Sequence, residues 1–292
     1  MFIEVVDHKL KDIENIVKDS TSQDELFESL RSLGLEDFGL LLLSMPNPAY
    51  PKISNILPRM ASEEIQRNWT GDAGVNLLRH TLNFVRSIAY YFSKYTGETL
   101  ENKTILDFGC GYGRIARLMY YFTNPDNFFA VDPWDKSLEI CNADGLIKNF
   151  YLSDYLPAQL PTGDKKFSLI YAFSVFTHLS EKATRISLNT LLNHLEPNGL
   201  LVITIRPIEY WSFEGNFDSP ETRDRLISSH RQTGFSFLPH LRDAVDGDIT
   251  YGDTSMTLEW LKNLLPTAEI LGTDRSIFDP YQIYVFIRQA RR

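Results

Sequence analysis

Two carboxylates and three glycines are the residues of this chain whose types and spacing most directly suggest chemistry. They are Asp107, then Gly109, Gly111 and Gly113 at alternate positions, then Asp132. An apolar run, Thr104 to Phe108, leads into the glycines, and a helix-like segment, Arg114 to Phe122, leads out. This is the pattern of a strand, a tight turn and a helix start. Glycine lacks a Cβ, so it adopts positive φ and lets a ligand approach the backbone. The N–H groups at the head of the next helix are open to a polar ligand. A dinucleotide fingerprint places its third glycine differently, as G-x-G-x-x-G. A carboxylate beside the loop would repel a pyrophosphate and would suit an ammonium group. Asp132 lies 25 residues after Asp107, at the end of the next apolar run, where its two oxygens can accept from two ribose hydroxyls. A ligand with an amino acid end, a ribose end and no phosphate is S-adenosyl-L-methionine (SAM).

The elements that must hold these residues alternate. Short apolar strands are expected at Thr104–Phe108, Asn127–Val131, Asn149–Leu152, Phe167–Ala172 and Leu200–Ile205. Helices are expected at Arg114–Phe122, Asp135–Ala143 and Glu181–Leu195, with Pro197-Asn198-Gly199 turning the chain into the fifth strand. Such alternation implies an α/β fold with a parallel sheet and helices on both faces. After Arg206 the alternation stops. Ile208 to Tyr251 is aromatic and polar, with a helix expected at Pro220–Gln232 and short strands at Phe235–Leu238 and Ile249–Gly252. A helix at Leu258–Leu265 and two strands, Glu269–Thr273 and Tyr281–Arg288, close the chain.

Residues 103 to 206 resemble a class I SAM-dependent methyltransferase. The resemblance rests on Leu106-Asp107-Phe108-Gly109-Cys110-Gly111-Tyr112-Gly113, on Val131-Asp132-Pro133-Trp134, on Phe167 to Leu179, and on Leu195-Glu196-Pro197-Asn198-Gly199-Leu200-Leu201. It implies a seven-stranded, mostly parallel, Rossmann-like sheet with its last strand antiparallel, which the two closing strands fit. It also implies roles. Asp107 and Gly109 would lie by the methionine moiety, Gly111, Tyr112 and Gly113 would bind the cofactor with them, and Asp132 would bind the ribose. Pro133 and Trp134 would flank the adenine, Asp154 would accept from its amino group, and Phe173 and Ser174 would complete the cofactor site. S-adenosyl-L-homocysteine would be the second product. Ser168 stands where relatives place Asp. Further out, Trp69-Thr70-Gly71, Arg79-His80-Thr81 and Tyr251-Gly252-Asp253-Thr254 resemble a bacterial subgroup linked to glycan or secondary-metabolite modification.

A hydroxyl nucleophile wants a base that titrates near neutrality, which His supplies. His178, after the fourth strand, is the first candidate and His80 the second. His194 and His230, on expected helices, read as surface residues. Arg206 is placed to pair with an anionic group of the acceptor or with Glu209. Trp69, Arg79, Arg206 and Tyr251 are the expected acceptor-binding residues. The Trp69-Thr70-Gly71 turn and the Arg79–His80 pair read equally as a lid or as a core Trp beside a solvated pair. An Asn/Asp-Pro-Pro-Tyr tetrad, which would hold a planar amino group, is absent after the fourth strand. Together with a net charge of −9, this argues against a DNA base as acceptor. The expected reaction is methyl transfer to O or N of a small molecule, a sugar or glycan intermediate first. A protein or RNA acceptor and a non-catalytic SAM-fold scaffold are the alternatives.

The rest of the chain supplies context. Residues 1–60 read as helices followed by a Pro-rich linker, 61–100 as a helical lid segment, and 101–292 as the SAM-binding domain with an insertion at 208–256. Ser22 and Glu25 form a capping-box pattern ahead of Leu26, Phe27, Leu30 and Leu33. These N-terminal helices are an accessory or dimerising module. Met45 to Pro58 holds four prolines and reads as an extended linker. Cys110 and Cys141 have no metal-ligand spacing and no disulfide framework, and no other metal site is expected. No signal-like or membrane-spanning run is seen, which points to a cytoplasmic protein without a membrane partner. Arg288, Arg291 and Arg292 read as a solvated tail.

Overall fold

A computed structural model describes residues 3–18, 20–146, 148–213, 215 and 217–290. Arg291 and Arg292, read above as tail, lie outside the described residues. By internal packing the chain divides into two compact units, residues 1–90 with 99–152, and residues 91–98 with 153–292.

The first unit opens with helices α1 (Asp7–Ile16), α2 (Gln23–Leu30), α3 (Leu35–Leu43), α4 (Pro51–Ile56), α5 (Glu63–Thr70) and α6 (Gly74–Thr96), the last of which ends in the second unit. The capping box forms as read, with Ser22 accepting from the Glu25 N–H and Glu25 accepting from the Ser22 N–H. The stripe behind it, Leu26, Phe27 and Leu30, is buried. It is covered within the chain: Phe27 packs on Tyr120 with centroids 4.8 Å apart, and Phe38 of α3 packs on Tyr121 at 5.4 Å.

The Pro-rich stretch is not a plain linker. Pro51 sits at the first position of α4, where its missing N–H would have had no partner in any case. Met45, Tyr50, Ile53 and Leu57 are buried beside it. Trp69 and Thr70 likewise form the last turn of α5, not a separate turn, and Gly71 ends that helix at φ 80°. Strands β1 (Ile105–Phe108), β2 (Phe128–Asp132) and β3 (Phe150–Leu152) follow, with α7 (Arg114–Met119) and α8 (Asp135–Ala143) between them. β1 and β2 pair in parallel, as do β2 and β3.

The second unit contains β4 (Phe167–Ala172), α9 (Glu181–Asn193), β5 (Leu195–Ile205), α10 (Pro220–Thr233), β6 (Phe235–Pro239), β7 (Gly252–Met256), α11 (Leu258–Leu264), β8 (Ala268–Ser276) and β9 (Asp279–Gln289). β5 starts five residues earlier than the apolar run suggests. Phe167 pairs with Leu195 and Leu169 with Leu200, so Glu196 to Gly199 bulge out of the ladder. Gly199 is required there, because a Cβ would lie 2.9 Å from the Phe167 carbonyl oxygen. β9 runs antiparallel to both β5 and β8. The seven strands lie in the order β3-β2-β1-β4-β5-β9-β8, which is the mostly parallel, Rossmann-like sheet expected. β6 and β7 form a separate antiparallel pair within the excursion that follows β5. The second of these strands begins at Gly252, later than its apolar onset suggested. Among the described residues no helix is long and apolar enough to cross a membrane.

Candidate active site

In the first unit the three glycines after β1 adopt positive φ, 78° at Gly109, 53° at Gly111 and 73° at Gly113. At Gly113 a Cβ would lie 2.3 Å from Leu146 Cδ1 and 3.1 Å from Arg117 Nη1, so both conformation and space demand glycine. Asp132 organises the loop. Its Oδ2 accepts from the Gly111 N–H at 2.8 Å, and its Oδ1 accepts from the Trp134 N–H and the Ser137 hydroxyl, each at 2.9 Å. Burial raises the carboxyl above its ordinary range, and the N–H bonds from Trp134 and Gly111 pull it back. A carboxylate accepts about four hydrogen bonds. Three are made, so Oδ2 keeps one acceptor direction for a ligand hydroxyl, in place of the two expected from the sequence.

Aromatic rings wall this loop. Trp69 stacks on Trp134 with centroids 4.8 Å apart and an interplanar angle of 20°, and meets Tyr112 edge-on at 5.8 Å. A Cβ at Gly111 would stand 3.7 Å from the Trp69 ring. Trp69, expected at the acceptor, is thus grouped with Gly111, Tyr112 and Trp134, the residues expected at the cofactor. Pro133 is half-buried and Asp107 is buried. Tyr112 is buried with its hydroxyl unpartnered among the described residues, a polar atom that a bound ligand would satisfy. Arg79 and His80 lie on α6, exposed and half-buried.

Arg117 was not singled out by sequence reasoning, since an Arg early in a helix reads as a surface charge. It is fully buried, and it donates to the Tyr112 carbonyl at 2.6 Å and the Arg59 carbonyl at 2.8 Å, with Asp144 at 3.4 Å. Its guanidinium therefore fixes the carbonyl side of the glycine loop.

In the second unit a polar cluster forms where β5 ends. Arg206 is buried and donates to Asp253 Oδ1 at 2.6 Å and to the Thr177 carbonyl at 2.9 Å. Its partner is Asp253, not Glu209. His178 is held at both ring nitrogens, with Nδ1 2.7 Å from the Gly252 carbonyl and Nε2 3.1 Å from Arg206 Nη2. Arginine only donates, so Nε2 carries the lone pair and Nδ1 the proton. Burial, reinforced by the Arg206 charge, lowers the His178 pKa to about 4. The ring is neutral at pH 7 and its lone pair is committed to Arg206, so in this arrangement it is not available to take an acceptor proton. Tyr251 stacks on His178, 5.0 Å away and 6° from parallel, and Arg242 lies 4.2 Å over the Tyr251 ring.

The structure thus brings together His178, Arg206 and Tyr251 and adds Asp253, which the sequence offered only as part of the Tyr251–Thr254 motif, with Tyr210 and His240, to which sequence reasoning gave no role. Asp253 accepts from Tyr210 Oη at 2.9 Å and from His240 Nε2 at 2.8 Å. Burial would raise the Asp253 pKa, but the His240 bond and the Arg206 charge outweigh it and hold the carboxyl below its usual range. Gly252, beside Asp253, is required where it stands, because a Cβ would lie 2.1 Å from the Leu238 carbonyl oxygen.

At the end of β4, Ser174 has φ 59°, an uncommon conformation for a residue with a Cβ. Its N–H donates to Thr204 Oγ1 at 2.7 Å, and its hydroxyl accepts from Gln282 at 3.1 Å. Phe173 beside it is half-buried, and Asp154 is exposed after β3. His194 is half-buried, with Nδ1 2.9 Å from the Lys165 carbonyl. His230 is not a surface residue. It is buried on α10 with Nδ1 2.7 Å from Ser255 Oγ, and burial lowers its pKa.

Residues 105–199 match the model of a methyltransferase domain. No curated protein matches the chain. Among solved structures, the magnesium protoporphyrin IX methyltransferase of Synechocystis PCC 6803 with bound S-adenosylhomocysteine is 15% identical, covers 78% of this chain and 94% of its own, and gives a TM-score of 0.50. A SAM-dependent methyltransferase from Clostridium acetobutylicum is 14% identical over 78% of this chain and 97% of its own, at 0.49. A glycopeptide N-methyltransferase complexed with sinefungin is 14% identical over 70% and 93%, at 0.47. The methyltransferase-domain match covers the stretch from β1 into β5, which carries the acid-flanked glycine loop.

Proposed function

We propose that this methyltransferase acts on an oxygen or nitrogen atom of a small molecule, with a sugar or glycan intermediate as the acceptor. The observation that carries this reading is the chemistry around Asp253. A buried ion pair with Arg206 is rimmed by Tyr210, Tyr251, Phe213 and Tyr281, with Phe213 and Tyr281 rings 5.0 Å apart. Polar groups framed by aromatic faces suit a hydroxyl-rich ring, which offers both hydrogen-bonding edges and C–H faces. Trp69, Arg79, Arg206 and Tyr251 remain the residues proposed to recognise the acceptor, with Arg206 acting through its place beside Tyr210 and Asp253.

SAM supplies an activated methyl on a sulfonium, so alignment and proton removal are what remain for the protein. Asp132 would hold the ribose through its open Oδ2 direction. Asp107, Gly109, Gly111, Tyr112 and Gly113 would receive the amino acid end, with Pro133 and Trp134 beside the adenine. Phe173, Ser174 and Asp154 complete the proposed cofactor set. His178 serves as an anchor for Arg206 in this reading, and His80 stays a candidate base. S-adenosyl-L-homocysteine leaves as the second product. We place the protein in the cytoplasm.

Calorimetry with SAM, followed by incubation of the protein with methyl-labelled SAM and size-sorted cell extract, tests this reading. Label in the small-molecule fraction is expected. Label confined to protein or RNA would favour a macromolecular acceptor, and no binding at millimolar SAM would leave only a scaffold role.

A further inference from the structure

Trp69 is carried by a helix that the rest of the first unit holds loosely. Ahead of α5, Arg59 is fixed: its N–H donates to the Asp144 carbonyl and its carbonyl accepts from buried Arg117, each at 2.8 Å. Behind α5, the helix α6 buries Leu77, Leu78 and Leu82. Between these anchors α5 buries one side chain, and that side chain is polar. It is Gln66, whose amide donates to the Ala61 carbonyl at 2.7 Å and accepts from the Gly74 N–H at 2.9 Å. Both partners flank α5 itself, so these bonds shape the segment without tying it to the sheet. A cavity of about 10 Å³ lies beside Gln66, Gly74, Leu77, Leu78 and Arg114. An element with so little apolar burial opens at low cost. Gly71 at φ 80° and Gly74 at φ 59° bracket the joint between α5 and α6, and a Cβ on Gly71 would meet nothing within 4 Å. Such a joint absorbs backbone rotation.

What α5 lays on the glycine loop is the Trp69 indole. It covers one face of Trp134 at 4.8 Å, meets Tyr112 edge-on at 5.8 Å and stands 3.7 Å from where a Gly111 Cβ would be. Carbon atoms in contact lie about 3.5–4 Å apart, so a flat ring between two indoles needs them about 7–8 Å apart. At 4.8 Å the covered face of Trp134 is closed to any ligand ring.

We propose that Trp69 is the gate residue of the cofactor site. The helix α5 swings out on the Gly71–Gly74 joint to admit SAM, and Trp69 then closes on the adenine in place of Trp134. This rests on the cofactor reading above, in which Trp134 lies beside the adenine, and it adds the step by which that place opens. It gives Trp69 a duty toward the cofactor beside the acceptor role proposed for it. The stack on Trp134 keeps the loop covered when no ligand is bound, and an aromatic contact of the same kind replaces it when SAM is seated. Every residue in the device belongs to the first unit, which also holds the glycine loop and Asp132.

The test uses the full-length protein and SAM. In hydrogen–deuterium exchange the amides of α5 are expected to exchange at least about tenfold faster than those of residues 77–85 in the free protein, and to slow at least about tenfold at saturating SAM. Trp69→Ala should both take up labelled SAM faster and release it at least about tenfold faster in a chase with unlabelled SAM. A residue that merely touched the cofactor would change release alone. Trp69→Phe keeps a flat ring and should restore slow uptake and release, which separates a lost gate from a damaged fold. The exchange measurement on wild type decides the matter if Trp69→Ala does not fold. Exchange over α5 that SAM leaves unchanged, or Trp69→Ala uptake no faster than wild type, overturns the proposal while SAM binding keeps the cofactor reading intact. A wild type that binds no SAM overturns both.

Discussion

Trp69 of α5 lies flat against Trp134, the residue that follows Asp132 and Pro133, with ring centroids 4.8 Å apart. The stack joins a helix ahead of the sheet to the loop after β2, and Trp134 is still 44% exposed. Bound SAM is expected to change indole emission, because the adenine would lie against this pair. Trp134→Phe should lose most of that change and weaken SAM binding by about three- to tenfold, the scale of one aromatic contact. An unchanged fluorescence titration in Trp134→Phe would place the adenine elsewhere.

Asp132→Asn removes the charge that three donors share. The amide presents an N–H₂ group where acceptors are needed. The expected loss is about 2 kcal/mol or more in stability, and SAM affinity should fall further than stability alone requires. Urea unfolding and calorimetry on the same preparation would check both effects.

Gly113→Ala meets two obstacles at once, a positive φ and a Leu146 methyl 2.3 Å from the new Cβ. Together these should cost about 3 kcal/mol. In Gly113→Ala/Leu146→Ala the steric part is relieved and the conformational part remains, so the pair should recover some of the loss relative to Leu146→Ala alone. Strict additivity in that cycle would show that the clash is relaxed elsewhere.

His178 makes stability depend on pH. Its folded pKa of about 4 lies below the ordinary value of 6.5. The unfolded chain therefore binds the proton more readily between those values. The contribution is fully present above pH ~6.5 and is lost as pH falls towards 4, up to about 3 kcal/mol. His178→Gln should flatten that limb of the stability curve. A mutant curve parallel to the wild type from pH 7 to 4 would mean that His178 is protonated in the folded protein.

Where sequence and structure agree, local chemistry decides the outcome. Phe167–Ala172 and Asp135–Ala143 form with the boundaries read from pattern, because an apolar run and a 3.6-residue period each admit one solution. The acid-flanked glycines were legible for the same reason. Pro51 misled because a proline cluster signals extended chain unless one proline falls at a helix start. His230 misled because its burial is set by Ser255 and Trp211, which bonds the same hydroxyl at 2.6 Å, and both lie far off in sequence. Asp253 and His240 were invisible as a pair, since only the turn between β6 and β7 brings position 240 to position 253.

The Arg206–Asp253 ion pair ties the residue that follows β5, where the chain leaves the seven-stranded sheet, to β7 of the separate strand pair. Met256 N–H also bonds the Arg206 carbonyl at 3.1 Å, closing the same neck. Residues 207 to 252 are thereby a cassette sewn shut at its opening. Doubling the length of a closed loop adds only about 0.6 kcal/mol. Natural variation can therefore lengthen, trim or replace the cassette while the seven-stranded sheet keeps its fold. The chemistry of the neck, one guanidinium and one carboxylate, stays behind when the cassette is exchanged and sets what any replacement must span.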